Sequence, residues 1–171
     1  MGTRGLLGFI IRGQRHAAYN HFDSYPSGLG RDIVEFILGL SPEEYDTMAR
    51  LVNEIIWFDS ESTPSPELQD RYQKAGFTNL RVGMQRPSDW YCLLHKTQGA
   101  AALPAIKSGE LQHMPESIDF LKDSLFCEWA YFIDFENKNL ETWRAGKTVE
   151  ITFEKLVEVG KVYMENLEDS M

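Results

Sequence analysis

Residues 5–12, GLLGFIIR, are apolar on both faces of an extended chain, with Leu7, Phe9 and Ile11 on one side and Leu6 and Ile10 on the other. A strand that buries one face alternates apolar with polar; one that is apolar on both faces needs cover above and below. This segment therefore belongs at the centre of a sheet. Arg12-Gly13-Gln14-Arg15 is a polar turn, and residues 15–23 return as a second strand, giving an N-terminal hairpin.

A second strand signal lies far along the chain. In residues 127–135, Cys127, Trp129, Tyr131, Ile133 and Phe135 share one face, and Glu128, Ala130, Phe132 and Asp134 share the other. The polar residues 136–139 turn the chain, and residues 140–144 return as a partner strand. Between the hairpins the period changes to that of a helix. Residues 31–40 carry Ile33, Val34 and Ile37 on one stripe. Ser41-Pro42-Glu43-Glu44 is a capping box, and the helix after it places Tyr45, Met48, Val52, Ile55 and Ile56 at helical spacing. A third helix is expected over residues 66–75, stopped by Gly76, and a last one over residues 153–167. Residues 77–110 have no clear period: 87–96 fits a helical turn or a strand, and 100–107 is weakly helical around Pro104.

Two hairpins separated by helices predict an α+β fold: an antiparallel sheet built from an N-terminal and a C-terminal hairpin, with helices packed on it. Residues 1–171 read as a single domain, with a polar loop at about 59–66. The strand–helix alternation of a doubly wound sheet is missing, so Gly28-Leu29-Gly30 is not a dinucleotide fingerprint.

Charge and cysteine content narrow the function. A formal net charge of -9 disfavours a broad nucleic-acid surface, whose affinity comes from Lys and Arg on phosphates. Cys92 and Cys127 make no disulfide framework and no CxxC spacing, and the four histidines are scattered, so no metal or other cofactor is expected. No segment approaches the ~20 apolar residues of a membrane span, and residues 6–11 are too short and interrupted for a signal peptide. Leu6 stands where N-myristoylation of Gly2 would want Ser or Thr. The expected location is the cytoplasm.

The densest polar segment is YNHFDSYPSGLG, residues 19–30. Strand alternation carried to residue 23 puts Tyr19, His21 and Asp23 on one face, where an imidazole and a carboxylate form a proton-transfer pair or half a metal site. The same residues also suit a strand end whose polar side chains fix a turn. Ser24 to Gly30 lead into the helix at Arg31, where bared amides and the helix dipole favour an anion. Equally, Pro26 and the glycines suffice for a tight strand-to-helix turn, with Asp32 answering the dipole. Asp134 shares a face with Glu128 and Glu136, as a carboxylate pair for acid/base work or as solvated acids beside Lys138 and Arg144. His16, His95 and His113 stand alone, and Trp57, Trp90, Trp129 and Trp143 read as packing.

Met-Gly-Thr running into an apolar strand also resembles the layout of N-terminal nucleophile hydrolases, in which the first residue after processing is Cys, Ser or Thr. Loss of Met1 would expose Gly2, which has no nucleophile, and Thr3 would serve only after a further cleavage. More specifically, Gly2-Thr3-Arg4-Gly5 with YNHFDSYPSGLG resembles a family of short uncharacterised proteins, mainly fungal, that begin MGTRG and carry YNHWDSYPEGLG. Phe22 and Ser27 depart from that pattern. Residues 128–135, EWAYFIDF, resemble the family's later EWTYTIDLD-type strand, whereas residues 45–110 match nothing in it. The resemblance implies no activity.

The sequence thus leads to a binding or interaction protein, its partner a small polar or anionic ligand or another protein. The expected site is the first hairpin-to-helix turn: Tyr19, Asn20, Ser24, Tyr25, Gly28, Gly30 and Arg31. The alternatives are a small hydrolase, with His21 as base, Asp23 orienting it and Asp134 nearby, or an N-terminal-nucleophile-like scaffold without its nucleophile.

Overall fold

The N-terminal hairpin forms as the sequence predicts. In the computed structural model, which describes residues 3–171, β1 (Gly5–Ile11) pairs antiparallel with β2 (Gln14–Asn20). Arg12 and Gly13 turn the chain at φ 51° and 78°, as a two-residue turn between twisted strands requires. β2 stops at Asn20, three residues short of the expected end.

After β2 the chain makes one wide helical turn, Pro26–Gly30, and runs straight into α1 (Arg31–Leu38). α2 (Pro42–Asn53) starts on the predicted capping box: Ser41 Oγ accepts from Glu44 N, and Glu44 Oε1 accepts from Ser41 N at 2.9 Å. The helix ends before Ile56, which leaves it for a short strand, β3 (Ile56–Phe58), and lies 57% exposed. α3 (Pro66–Lys74), the short α4 (Trp90–Leu93) and α5 (Ala102–Lys107) follow. β4 (His113–Pro115) then pairs parallel with β3.

β5 (Trp129–Asp134), β6 (Asn139–Arg144) and β7 (Lys147–Thr152) form a meander, so the C-terminal unit has one strand more than the expected hairpin. The final helix divides at Gly160, φ 77°, into α6 (Phe153–Val159) and α7 (Val162–Ser170). A left-handed residue cannot propagate a helix.

The fold is α+β, with a mostly antiparallel sheet in the order β2-β1-β5-β6-β7. The seam between the two units is parallel: β1 lies beside β5, with Gly5 against Trp129 and Phe9 against Ile133. This puts β1 and β5 at the centre, where their two-sided apolar character belongs. One face, carrying Leu7, Phe9, Tyr131, Ile133 and Leu140, packs against the apolar stripes of α1, α2, α6 and α7. The other carries Leu6, Ala17, Ala130 and Phe132, and is partly covered by Ile118, Phe120 and Leu121 from the short 3-10 turn Ile118–Lys122.

Beyond that cover, the second face buries a charge. Glu141, 1% exposed, accepts two hydrogen bonds from the Arg15 guanidinium at 2.7 and 2.8 Å and a third from Trp143 Nε1–H. Burial alone would raise its carboxyl, but the bonds from Arg15 and Trp143 outweigh it and hold the group below the ordinary carboxylate range. Arg15 also lies over the Phe132 and Trp143 rings. Among the described residues no helix is long and apolar enough to cross a membrane.

Candidate functional site

His21, Asp23 and Asp134 each have a separate occupation. Because β2 ends at Asn20 and Asp23 takes φ 54°, strand alternation stops before it can put His21 and Asp23 on one face. His21 Nδ1 is 2.8 Å from the Tyr19 hydroxyl, and Asp23 Oδ1 accepts from the Tyr25 hydroxyl at 3.2 Å. Asp134 lies five residues along β5 from the Trp129–Gly5 end, about 17 Å away at the rise of a strand. There its carboxylate accepts from Asn137 N and Nδ2, both at 3.0 Å, and closes the β5–β6 turn. The structure does not gather these three residues.

The hairpin-to-helix turn is largely self-satisfied. Tyr25 O accepts from Gly28 N at 2.9 Å and Gly30 N at 3.4 Å, and Asp23 O accepts from Leu29 N at 2.8 Å. Asn20 Nδ2 donates to Ser24 Oγ at 2.8 Å and to Phe22 O at 2.7 Å, and Tyr131 donates to Ser24 O at 2.7 Å. Asn20 and Ser24 are buried structural ties, and Arg31 is exposed. A carboxylate does occupy the helix start, but it is the protein's own. Glu168 of α7 accepts from Ser27 N at 3.2 Å and Ser27 Oγ at 3.1 Å. The readings that turn on Gly2 fall outside the described residues.

A cavity of about 480 Å³ opens elsewhere, between β2, the paired strands β3 and β4, and the segment from Asp89 to Gly99. Leu7, Ala18 and Leu111 line it, and Tyr19, Phe58, Trp90, Tyr91 and Phe120 supply aromatic walls. Phe58 and Trp90 stack with centroids 3.8 Å apart. Among the lining residues are the carboxylates Asp89, Glu116 and Asp119, but no lysine or arginine. The size and the mainly apolar wall with a few polar groups are those of a small-molecule site.

Two of the polar groups are held in place from behind. His113, 8% exposed, has Nδ1 2.6 Å from the hydroxyl of Tyr72, which is fully buried. Gln112 N–H donates to that same phenol oxygen at 3.1 Å, so the single phenol proton goes to His113 Nδ1. Burial, and then the Arg71 charge, lower the imidazole below its usual range and keep it neutral at pH 7. Its proton is therefore on Nε2, which has no partner among the described residues. Glu116 is fixed in the same way: Oε1 meets His16 Nδ1 at 2.5 Å, and Oε2 accepts from Ala17 N at 3.1 Å. His16 itself stacks on Trp57. Asp89 is spent as a cap, accepting from Tyr91 N and Met84 N.

Tyr72→Phe is expected to cost about 2 kcal/mol in urea unfolding, because it strands the buried His113 Nδ1 and leaves the part-buried Gln112 N–H without its acceptor. A loss below about 0.5 kcal/mol would show that the phenol proton does not hold His113.

Of the site residues expected from the sequence, Tyr19 alone lines this cavity. His95, His113, Trp90 and Glu116 line it too, although the three first read as isolated or as packing and the last drew no notice. Trp90 and His95 fall in the stretch without period, and His113 and Glu116 just beyond it, where no spacing marks them out. Among the described residues no three or more His, Cys, Asp or Glu side chains are grouped to hold a metal ion. No family model, curated protein or solved structure matches the chain.

Proposed function

We propose that this protein binds a small, largely apolar molecule in the cavity between β2, the β3–β4 pair and the segment from Asp89 to Gly99. One observation carries the reading: His113, buried and oriented by Tyr72, lines an aromatic-walled cavity of about 480 Å³ with its Nε2 unpartnered among the described residues. On the same wall, His95 Nδ1 is buried without a partner among the described residues, and such a group costs free energy unless something polar meets it. A bound molecule with polar atoms at one end supplies partners for both imidazoles. The hairpin-to-helix turn is a weaker candidate for an external anion, since Glu168 fills the place one would take. Cys92 and Cys127 are both free and buried, which fits a protein at work in a reducing cytoplasm.

The test is a thermal-shift screen of uncharged aromatic fragments on the wild type and on Ala18→Phe, which puts a ring into the cavity from a half-buried position on β2. Wild-type unfolding should rise with fragment concentration, by mass action, and the response should vanish in Ala18→Phe. Equal shifts in both proteins would place binding elsewhere, and no shift in either would remove the proposal's basis.

A further inference from the structure

The charged side chains on the cavity wall are all carboxylates. Glu116 lines it, Asp119 lines it with a side chain 92% exposed and 3.7 Å from Lys122 Nζ, and no lysine or arginine lines it. The formal net charge of -9 adds to the same field. An anionic ligand would meet the Glu116 carboxylate with no lysine or arginine on the wall to offset it, whereas a cation would meet two kinds of attraction. The rings of Tyr91, Tyr19 and Phe120 on the wall offer π density, and Glu116 offers a carboxylate already fixed by His16 and Ala17 N. The pair of bonds that Glu116 accepts leaves lone-pair directions open, because an ionised carboxylate has about four acceptor sites.

Building on the binding reading above, we propose that the ligand is an organic cation, an ammonium group on an aromatic or alkyl body. Its apolar body lies against the Phe58–Trp90 stack and its charge lies toward Glu116. An acceptor atom on the same molecule takes the His113 Nε2–H. Aromatic surface alone would suit any apolar ligand; the Glu116 carboxylate, on a wall without lysine or arginine, supplies the preference among them. The neutral imidazole of His113 fits this arrangement, since it donates a hydrogen bond without repelling a nearby cation.

The test titrates three soluble probes of similar size and different charge into the wild-type protein: benzyltrimethylammonium, benzyl alcohol and benzoate, followed by calorimetry or ligand-observed NMR. The cation is expected to bind about tenfold tighter than the alcohol, and benzoate more weakly than either. Glu116→Gln should weaken the cation about fivefold and leave the alcohol unchanged. Benzyl alcohol binding as tightly as the cation, or benzoate binding tightest, would overturn the cation assignment while leaving the cavity as a binding site. Failure of all three probes to bind would remove the cavity reading itself, and this proposal with it. The wild-type comparison decides the charge preference even where Glu116→Gln does not fold. An unchanged cation affinity in a folded Glu116→Gln would overturn the role given to Glu116.

Discussion

Arg15→Met is expected to lower the folding free energy by about 3 kcal/mol at pH 7, measured by urea denaturation. The substitution keeps the length of the side chain over Phe132 and Trp143 but leaves the Glu141 carboxylate buried with only Trp143 Nε1–H as a donor. Arg15 is also attracted by Glu150, which stands opposite Glu141 on β7, and the variant loses that interaction as well. The pH dependence has a definite sign. In the wild type the Glu141 carboxyl is held below its usual range, so its contribution is fully present above the ordinary carboxylate pKa and is lost as pH falls through the lowered value. In the variant, burial without the guanidinium raises the same carboxyl, so protonation relieves the folded state. The gap between the two proteins should therefore close as pH falls from 7 toward 3. A gap that is the same at both ends would mean that Arg15 acts through packing alone. Arg15→Met combined with Glu141→Gln should recover part of the loss at pH 7, because the buried charge is then gone.

Gly8→Ala should be at least as damaging, with a loss of about 3 kcal/mol or more. A Cβ built at Gly8 would overlap the His16 carbonyl oxygen and stand 2.7 Å from Ala17 Cβ. β1 is hydrogen-bonded on both edges, to β2 and to β5, so it cannot slide away to make room. The methyl group must therefore push β2 outward, and β2 carries Ala17 N, which positions Glu116. Urea unfolding reads the loss directly. A change under about 1 kcal/mol would show that β2 yields more easily than a paired strand should.

The legible parts of the fold were those set by nearby residues. A run apolar on both faces located β1, face alternation located β5, the polar turn after it located β6, and the Ser41–Glu44 capping box located the start of α2. β7 escaped notice because Lys147–Thr152 is mostly exposed and its apolar positions, Val149 and Ile151, make a weak pattern. α2 read too long for a related reason: Ile56 keeps the helical spacing of Ile55 although the chain has already left the helix. At the candidate site the difficulty is of another kind. Tyr19, Trp90 and the neighbours His113 and Glu116 come from three places in the sequence, on or beside β2, α4 and β4. No spacing rule connects them, and a histidine tied to a distant tyrosine looks the same in sequence as one in solvent. The YNHFDSYPSGLG segment misled for the opposite reason: its polar residues are dense in sequence, but most are consumed in closing a turn.

Periodicity and capping act within a few residues, so β1, β2, β5, β6, the longer helices, the α+β class and the central position of β1 are legible in the chain alone. That β1 and β5 lie parallel, that Glu168 answers the helix start at Ser27, and that an aromatic cavity forms around His113 and Glu116 came from the tertiary structure. Each of these depends on which distant surfaces meet, and that is settled by the joint packing of both sheet faces.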